Sequence, residues 1–134
     1  MQVNKTDVLD LKGEADIVYV RQAVRKLSQE LGFGLVDQTK MITAASELAR
    51  NTVKYAGSGK MRWEFVMNAG KHGLRLCFED NGPGIEDIAL AMTDGWTSGG
   101  GLGLGLSGSK RLVNEFDIES TPGQGTRVTI IRWK

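Results

Sequence analysis

The sequence is poor in cysteine, in proline and in long apolar runs. Cys77 is the only cysteine among 134 residues, which excludes an internal disulfide framework and a thiolate zinc cluster. It lies in the apolar run 74–78, where we expect a buried small hydrophobic side chain. No apolar run approaches the roughly 20 residues that cross a membrane, and residues 1–5 are not followed by the apolar core of a signal peptide. We therefore expect a cytoplasmic protein with no membrane partner.

The sequence also lacks an excess of charge of either sign. The formal net charge is +1, so no global basic field would attract nucleic acid, and we expect no nucleic-acid partner. A length of 134 residues is typical of one domain. Because no linker, repeat or low-complexity segment interrupts the chain, we predict a single domain over residues 1–134.

Hydrophobic periodicity predicts an alternation of strands and helices. The predicted strands cover 3–11, 61–67, 74–79, 118–121 and 126–133. The predicted helices cover 16–31, 37–55 with Asp37 as N-cap, 85–92, and a segment from Ser107 to Phe116. The order β-α-α-β-β-α-α-β-β predicts an α/β fold: a two-layer α/β sandwich with a mixed, mostly antiparallel sheet and helices on one face.

Glycine is abundant, with 18 residues, and it is concentrated between Gly95 and Gly108. Backbone N–H groups of the segment 97–106, followed by a helix N-terminus, would cradle a phosphate group. A P-loop is excluded because Ser109 separates Gly108 from Lys110. A dinucleotide fingerprint would need a strand directly before the glycines, and 93–96 does not read as one. The segment alone predicts only a phosphate-binding loop.

The helix at 37–55 carries a second set of polar residues. Glu47 and Asn51 are four residues apart and therefore share one helix face. Asn51 offers a neutral oxygen suited to Mg²⁺, Glu47 could accept a proton from an attacking hydroxyl, and Lys54 could reach a phosphate. The alternative is a solvated helix face in which Glu47, Arg50 and Lys54 form ion pairs. The spacing alone does not separate these two interpretations.

A third set follows the strand at 74–79, in the segment Glu79–Ile85. A carboxylate at Asp80, beside a Gly-Pro-Gly turn, is placed to accept the exocyclic amine of adenine and to reject the guanine carbonyl. Gly82 and Gly84 would let the backbone approach the nucleotide closely. An ordinary tight turn is the alternative, and it explains the glycines but not the acidic pair at the end of the strand.

In this order, the three motifs resemble those of the histidine-kinase, type II topoisomerase and heat-shock-chaperone ATPases, the histidine-kinase-like or Bergerat fold. The resemblance implies that Asn51 is the Mg²⁺ ligand, that Asp80 reads the adenine with Gly82 and Gly84 beside it, and that Thr126 supports the adenine site. It also implies a lid over the phosphates, formed by Gly99, Gly100, Gly101, Leu102, Gly103, Leu104 and Gly105.

Within this superfamily, the chain resembles the short serine/threonine kinases that act as stressosome switches in bacterial partner-switching systems. The segments that carry the resemblance are 30–34, 46–51, 79–85, 94–100 and 110–116. The resemblance implies an ATP- and Mg²⁺-dependent kinase with Glu47 as catalytic base. Its implied substrates are STAS-domain stressosome proteins, and the released kinase would activate an output enzyme such as a PP2C-type phosphatase.

Two other functions stay open at the level of sequence. An anti-sigma factor resembles this fold and would sequester a sigma subunit. An adaptor would bind nucleotide only as a structural ligand, although the presence of Glu47, Asn51 and Asp80 argues against it. A sensor histidine kinase is not predicted, because the one histidine, His72, lies in a glycine-flanked turn rather than on a dimerisation helix.

Overall fold

A computed structural model describes residues 1–93 and 105–134 of the chain. Its elements follow the order predicted from periodicity, and the strands and helices lie close to their predicted positions. The elements are β1 (Gln2–Leu11), α1 (Ala15–Leu31), α2 (Leu35–Ala56), β2 (Gly59–Asn68), β3 (Lys71–Asp80), α3 (Ile88–Ala91), α4 (Gly105–Arg111), β4 (Glu115–Thr121) and β5 (Gly125–Trp133).

The five strands form one sheet in the order β1-β2-β3-β5-β4. Each of the four pairings is antiparallel, so the described part of the sheet contains no parallel pair, where the sequence predicted a mixed sheet. In the register, Met61 lies opposite Phe78 and Phe78 lies opposite Val128. The chain therefore places the ends of β3 and β5 side by side, with Asp80 opposite Thr126.

Helices α1 and α2 cover one face of the sheet. Alternate residues of β3, Leu74, Leu76 and Phe78, are buried against the helical residues Val24 and Leu48. Burial of such side chains contributes about 2 kcal/mol each to stability. The predicted two-layer sandwich is confirmed. Across the described ranges, no helix is both long enough and apolar enough to span a membrane.

The start of α2 differs from the prediction. Asp37 is not the N-cap: the helix begins at Leu35, after Gly34 in an extended conformation, and Asp37 lies in the first turn. Its carboxylate instead accepts hydrogen bonds from the Arg132 guanidinium of β5, which also donates to Leu112 O at 2.9 Å. The Asp37 side chain, which the local sequence predicted to cap the helix, instead forms a tertiary ion pair with Arg132.

The later helices are shorter than predicted. Instead of 85–92, α3 covers only Ile88–Ala91, with Asp87 as its N-cap. In α4, Ser107 is an interior residue rather than the cap, and the helix ends at Arg111. Phe116, predicted to be helical, belongs to β4 and pairs with Ile130. Pairing with β5 determines the conformation of this segment more strongly than its helical spacing does.

Cys77 lies on the sheet face opposite the helices and is half-buried rather than buried. Burial raises the pKa of its thiol, while a hydrogen bond from the Thr129 hydroxyl at 3.6 Å acts in the opposite direction. The prediction of a buried side chain was wrong, because the strand alternation that buries Leu76 and Phe78 turns Cys77 outward.

Candidate nucleotide-binding site

The residues singled out in α2 and at the end of β3 lie beside one another. A Cβ added at Gly59 would come within 2.5 Å of Thr52 Cγ2 and within 2.4 Å of Glu79 O. No side chain fits at that position, so the first residue of β2 lets the last turns of α2 pack directly against the end of β3. Asp80 is thereby placed next to the helix that carries Glu47 and Asn51.

The Asp80 carboxylate is held by the backbone. Its Oδ1 atom accepts hydrogen bonds from Gly82 N–H at 2.9 Å and from Thr126 N–H at 3.3 Å. Within the part of the chain that the structure describes, Oδ2 has no hydrogen-bond partner. The side chain is therefore oriented by one oxygen and offers the other to a hydrogen-bond donor such as an exocyclic amine.

The glycines of the loop after β3 are required by close packing. A Cβ at Gly82 would lie 2.5 Å from Ala56 Cβ at the end of α2, and one at Gly84 would lie 2.3 Å from Thr121 O of β4. Gly84 also has φ of 75°, a conformation that side chains disfavour. The ordinary-turn interpretation is thus incomplete, because this loop is wedged between α2 and β4.

Thr126 is joined to a residue that the motifs did not indicate. Its hydroxyl lies 2.8 Å from Ser120 Oγ. Ser120 Oγ also accepts a hydrogen bond from Ile85 N–H at 2.7 Å and donates one to Gly125 O at 3.1 Å. The signal that could have revealed Ser120 is the three-residue connection between the paired residues Thr121 and Gly125, since it places Ser120 directly opposite Thr126.

An open depression of about 360 Å³ lies at this end of the sheet, and Asp80, Ser120, Gly125 and Thr126 are among its lining residues. The strands approach closely here, because a Cβ at Gly125 would lie 2.0 Å from Asp80 O. Its lining also includes Glu79, Arg127 and Glu119, a cross-strand row on the Cys77 face of the sheet, so the candidate base-binding groups are Asp80 and Thr126 and not the depression as a whole.

Glu47 forms the ion pair that the solvated-face interpretation anticipated. Arg50 Nη1 lies 2.7 Å from Glu47 Oε1. The Glu47 side chain is nevertheless only 21% exposed, against 49% for Arg50, so the carboxylate lies in a partly enclosed position. Its second oxygen has no partner among the described residues, and the ion pair leaves one acceptor for a proton.

Asn51 lies one helical turn beyond Glu47 and faces the start of α4. A Cβ at Gly105 would be 3.5 Å from Asn51 Nδ2, which is ordinary contact distance. Lys54, by contrast, is exposed, and its ammonium group lies 5.2 Å from the centre of the Tyr55 ring. The structure brings Asn51 to the phosphate-loop end of α4, while Lys54 packs on its neighbour.

The donor set fits a magnesium ion carried by phosphates rather than a protein-only metal cage. In 1–93 and 105–134, no group of three or more His, Cys, Asp or Glu side chains is arranged to hold a metal ion. Mg²⁺ at nucleotide sites commonly uses one or two protein oxygens together with phosphate oxygens and water. The Asn51 amide oxygen, half-buried in α2, meets that requirement.

Most of the predicted lid lies outside the residues that the structure describes. Gly99, Gly100, Gly101, Leu102, Gly103 and Leu104 lie outside the described ranges. Gly105 is the first residue of α4, and its proximity to Asn51 places the end of the glycine segment beside the magnesium-ligand candidate. The geometry thus brings together at least one residue from each of the three sequence motifs.

Comparisons with known proteins show which family the chain resembles. Residues 36–134 match the family described as histidine kinase-, DNA gyrase B- and HSP90-like ATPases. The chain is 48% identical over 131 residues to serine/threonine-protein kinase RsbT of Bacillus subtilis, covering 98% of each chain. It is 28% identical to the anti-sigma F factor of Clostridium novyi, covering 96% of this chain and 93% of that protein.

A solved structure supports the fold. The RsbU and RsbW domains of Rv1364c from Mycobacterium tuberculosis align with a TM-score of 0.67 at 18% identity. The alignment covers 98% of this chain and 33% of that longer chain. The resemblance to partner-switching kinases drawn from the motifs is confirmed, and the chain belongs to the histidine kinase-, DNA gyrase B- and HSP90-like ATPase family.

Proposed function

We propose that the protein is an ATP- and Mg²⁺-dependent serine/threonine kinase of a bacterial partner-switching pathway, working in the cytoplasm as one domain over residues 1–134. The observation that carries the proposal is the placement of Asp80, with one carboxylate oxygen fixed by the backbone, beside the helix bearing Glu47 and Asn51. The 48% identity to a serine/threonine-protein kinase supports the type of reaction.

Adenine recognition is assigned to the end of the sheet. Asp80 Oδ2 accepts a hydrogen bond from the exocyclic amine, Gly82 and Gly84 let the loop lie close to the base, and Thr126 supports Asp80 from the neighbouring strand. Guanine would present a carbonyl oxygen to the carboxylate, which leaves both acceptors unpaired. Such a mismatch costs on the order of 1–3 kcal/mol or more when one group is charged.

Phosphoryl transfer is assigned to α2 and the glycine segment. The bond between the γ-phosphorus and the oxygen that leaves with ADP breaks, and a bond forms between the γ-phosphorus and a serine or threonine hydroxyl oxygen of the partner. Glu47 takes the proton of that hydroxyl. Asn51 would hold Mg²⁺, which neutralises phosphate charge. Residues 99–105 would cover the phosphates, and Lys54 would reach them after leaving the Tyr55 ring.

We propose STAS-domain stressosome proteins as the substrates and an output enzyme such as a PP2C-type phosphatase as the target of the released kinase. These partners rest on the family resemblance and on the RsbT relative. A sequestering function is the second candidate, favoured by the 28% identity to an anti-sigma F factor. It predicts a stable complex with a sigma subunit.

The test is phosphotransfer to a purified STAS-domain protein in Mg-ATP, followed by the mass of the partner. We expect Glu47→Gln to lower the rate at least about 100-fold, the usual range for a lost general base, while the ATP dissociation constant stays within about threefold. Asn51→Ala should instead weaken Mg-ATP binding. Glu30→Gln is the control, because Glu30 lies on α1 and pairs with Lys5 of β1, away from the site.

Equal rates in wild type and Glu47→Gln would overturn the assignment of the base. Tight ATP binding with no transfer to any STAS partner, combined with stable capture of a sigma subunit, would replace the kinase by the sequestering function. The same series therefore separates an error in one residue from an error in the function.

A further inference from the structure

Ser120 makes three hydrogen-bonding contacts, to the loop after β3 and to the first two residues of β5, which meet at the proposed adenine end of the site. Its hydroxyl contacts Ile85 N–H at 2.7 Å, the Thr126 hydroxyl at 2.8 Å and Gly125 O at 3.1 Å. A serine hydroxyl has one proton to donate and two lone pairs to accept with. Three contacts therefore use its full hydrogen-bonding capacity.

Only one arrangement of protons satisfies all three contacts. Ile85 N–H can only donate and Gly125 O can only accept, so the first fills one lone pair of Ser120 and the second takes its proton. The remaining lone pair of Ser120 must then accept from Thr126. The Thr126 proton is consumed in this bond, and its oxygen is left with acceptor capacity only.

The neighbouring Asp80 presents the same polarity. Its Oδ1 is occupied by Thr126 N–H and Gly82 N–H, and Oδ2 is an acceptor. Two acceptors therefore lie on one strand pair, at the opposed positions Asp80 and Thr126. The six-position amine of adenine carries two N–H donors, whereas the six-position of hypoxanthine or guanine carries an acceptor.

We infer that Ser120 is a positioning residue for base selection. It turns the Thr126 hydroxyl into an obligate acceptor, so that Asp80 and Thr126 together, directly or through one water, select a six-amino purine. This inference rests on the proposed assignment of the adenine site and deepens it. A free threonine hydroxyl could donate to a six-keto oxygen and so accept guanine or hypoxanthine, but Ser120 holds the Thr126 proton and prevents this.

Removal of Ser120 changes the polarity of Thr126. In Ser120→Ala, the Thr126 proton has no partner at this position, so it can rotate toward a bound base and donate to a six-keto oxygen. ATP keeps the Thr126 oxygen as an acceptor, while inosine triphosphate gains one donor that wild type withholds. Asp80 remains in both cases, and part of the preference for adenine is therefore retained.

The experiment measures dissociation constants of ATP and inosine triphosphate, both with Mg²⁺, for wild type, Ser120→Ala and Ser120→Thr. We expect the preference for ATP to fall about tenfold in Ser120→Ala, the size of one hydrogen bond, and to be largely restored in Ser120→Thr. Thr129→Val is the matched control, because that hydroxyl lies on the same strand as Thr126 but faces the opposite side of the sheet.

A second arm asks whether Ser120 works through Thr126. In a Thr126→Val background, Ser120→Ala should change the ATP preference no further, since the hydroxyl that it orients is gone. A general loss of fold would instead weaken both nucleotides equally and would leave their ratio unchanged.

The outcomes separate the two levels of the proposal. An unchanged ratio in a folded Ser120→Ala variant, or a full additional loss in the Thr126→Val background, overturns the role of Ser120. If Asp80→Asn also keeps the normal preference for ATP, the assignment of the adenine site itself is wrong. If Asp80→Asn loses that preference while Ser120→Ala does not, only the inference about Ser120 fails.

Discussion

At the level of single residues, the Asp80 carboxylate is held by backbone N–H groups rather than by a cation. Among the described residues no lysine or arginine pairs with it, so no positive charge competes with a bound amine. A carboxylate fixed through one oxygen loses little conformational entropy when the other binds a ligand. The Asp80 side chain is therefore ordered before the base binds, which favours both affinity and selectivity.

Cys77 gives a prediction on pH and stability. Burial raises the pKa of its thiol in the folded state above the ordinary value of 9.0. Below that value the thiol is protonated whether the chain is folded or not, and the full stability is present. As pH rises above it, the unfolded chain releases the proton first, so stability falls until the pH passes the folded pKa.

The measurement is urea unfolding at pH 8 and pH 10.5. Wild type should lose more free energy of unfolding between these values than Cys77→Ala, which has no thiol to ionise. Thr129→Val should lose more than wild type, because the Thr129 hydrogen bond favours the thiolate. Identical losses in all three proteins would show that the thiol is not shielded in the folded state.

Some site residues are readable from the sequence, and others are not. Glu47, Asn51 and Asp80 stand at fixed spacings within continuous segments, and their chemistry follows from residue type. The role of Ser120 depends on Thr126, 6 residues away, and the role of Gly59 depends on Glu79, 20 residues away. Their positions depend on strand register, and an isolated serine or glycine carries no sign of that register.

At the level of elements, the loop after β3 is clamped to the β4–β5 turn. Gly123 N–H donates to Pro83 O at 2.7 Å, Ile85 N–H donates to Ser120 Oγ, and Gly84 packs on Thr121 O. Three contacts within three residues fix the loop that would lie against the base. The adenine end of the site is thus a joint between two elements rather than a flexible loop.

Paired glycine substitutions test this joint. Gly84 and Gly123 both have positive φ, 75° and 79°, so alanine pays about 1 kcal/mol of backbone strain at either position. Only at Gly84 does the added Cβ meet backbone, since nothing lies within 4 Å of a Cβ at Gly123. We expect Gly84→Ala to be destabilised by at least about 1 kcal/mol more than Gly123→Ala, and to bind ATP about tenfold more weakly.

Urea unfolding and ATP titration of the two variants provide the measurement. Equal effects of the two substitutions would mean that backbone conformation alone matters and that the loop is not wedged against β4. A Gly84→Ala protein with lower stability but unchanged ATP affinity would separate the joint from the nucleotide site.

Element boundaries show where local sequence stops being informative. Helical spacing correctly predicted most of α2, because its buried face is continuous from Met41 to Thr52. The same spacing wrongly extended α4 to Phe116, which pairs with Ile130 in the sheet. Asp37 likewise has the composition of a cap but serves Arg132 on the last strand. In both cases a distant strand outweighs a local preference.

At the level of the whole molecule, the site collects residues that are far apart in the chain. Asn51 comes from α2, Asp80 from β3, Gly105 from α4 and Thr126 from β5. The central strands β3 and β5 pair although 44 residues separate the end of one from the start of the other. These residues are brought together only when the chain folds, so a ligand that contacts all of them binds only the folded state.

Nucleotide binding should therefore stabilise the entire fold by an amount set by mass action. At an ATP concentration 100 times its dissociation constant, with excess Mg²⁺, the free energy of unfolding should rise by about 2.7 kcal/mol. The measurement is urea unfolding of wild type with and without Mg-ATP. At that same concentration Mg-GTP should give little stabilisation, and Asp80→Asn should gain little from either nucleotide, since its side chain no longer offers a carboxylate to the amine. A full gain with GTP would mean that the base is not read at Asp80, whereas a gain with ATP that Asp80→Asn retains would place the nucleotide elsewhere on the molecule.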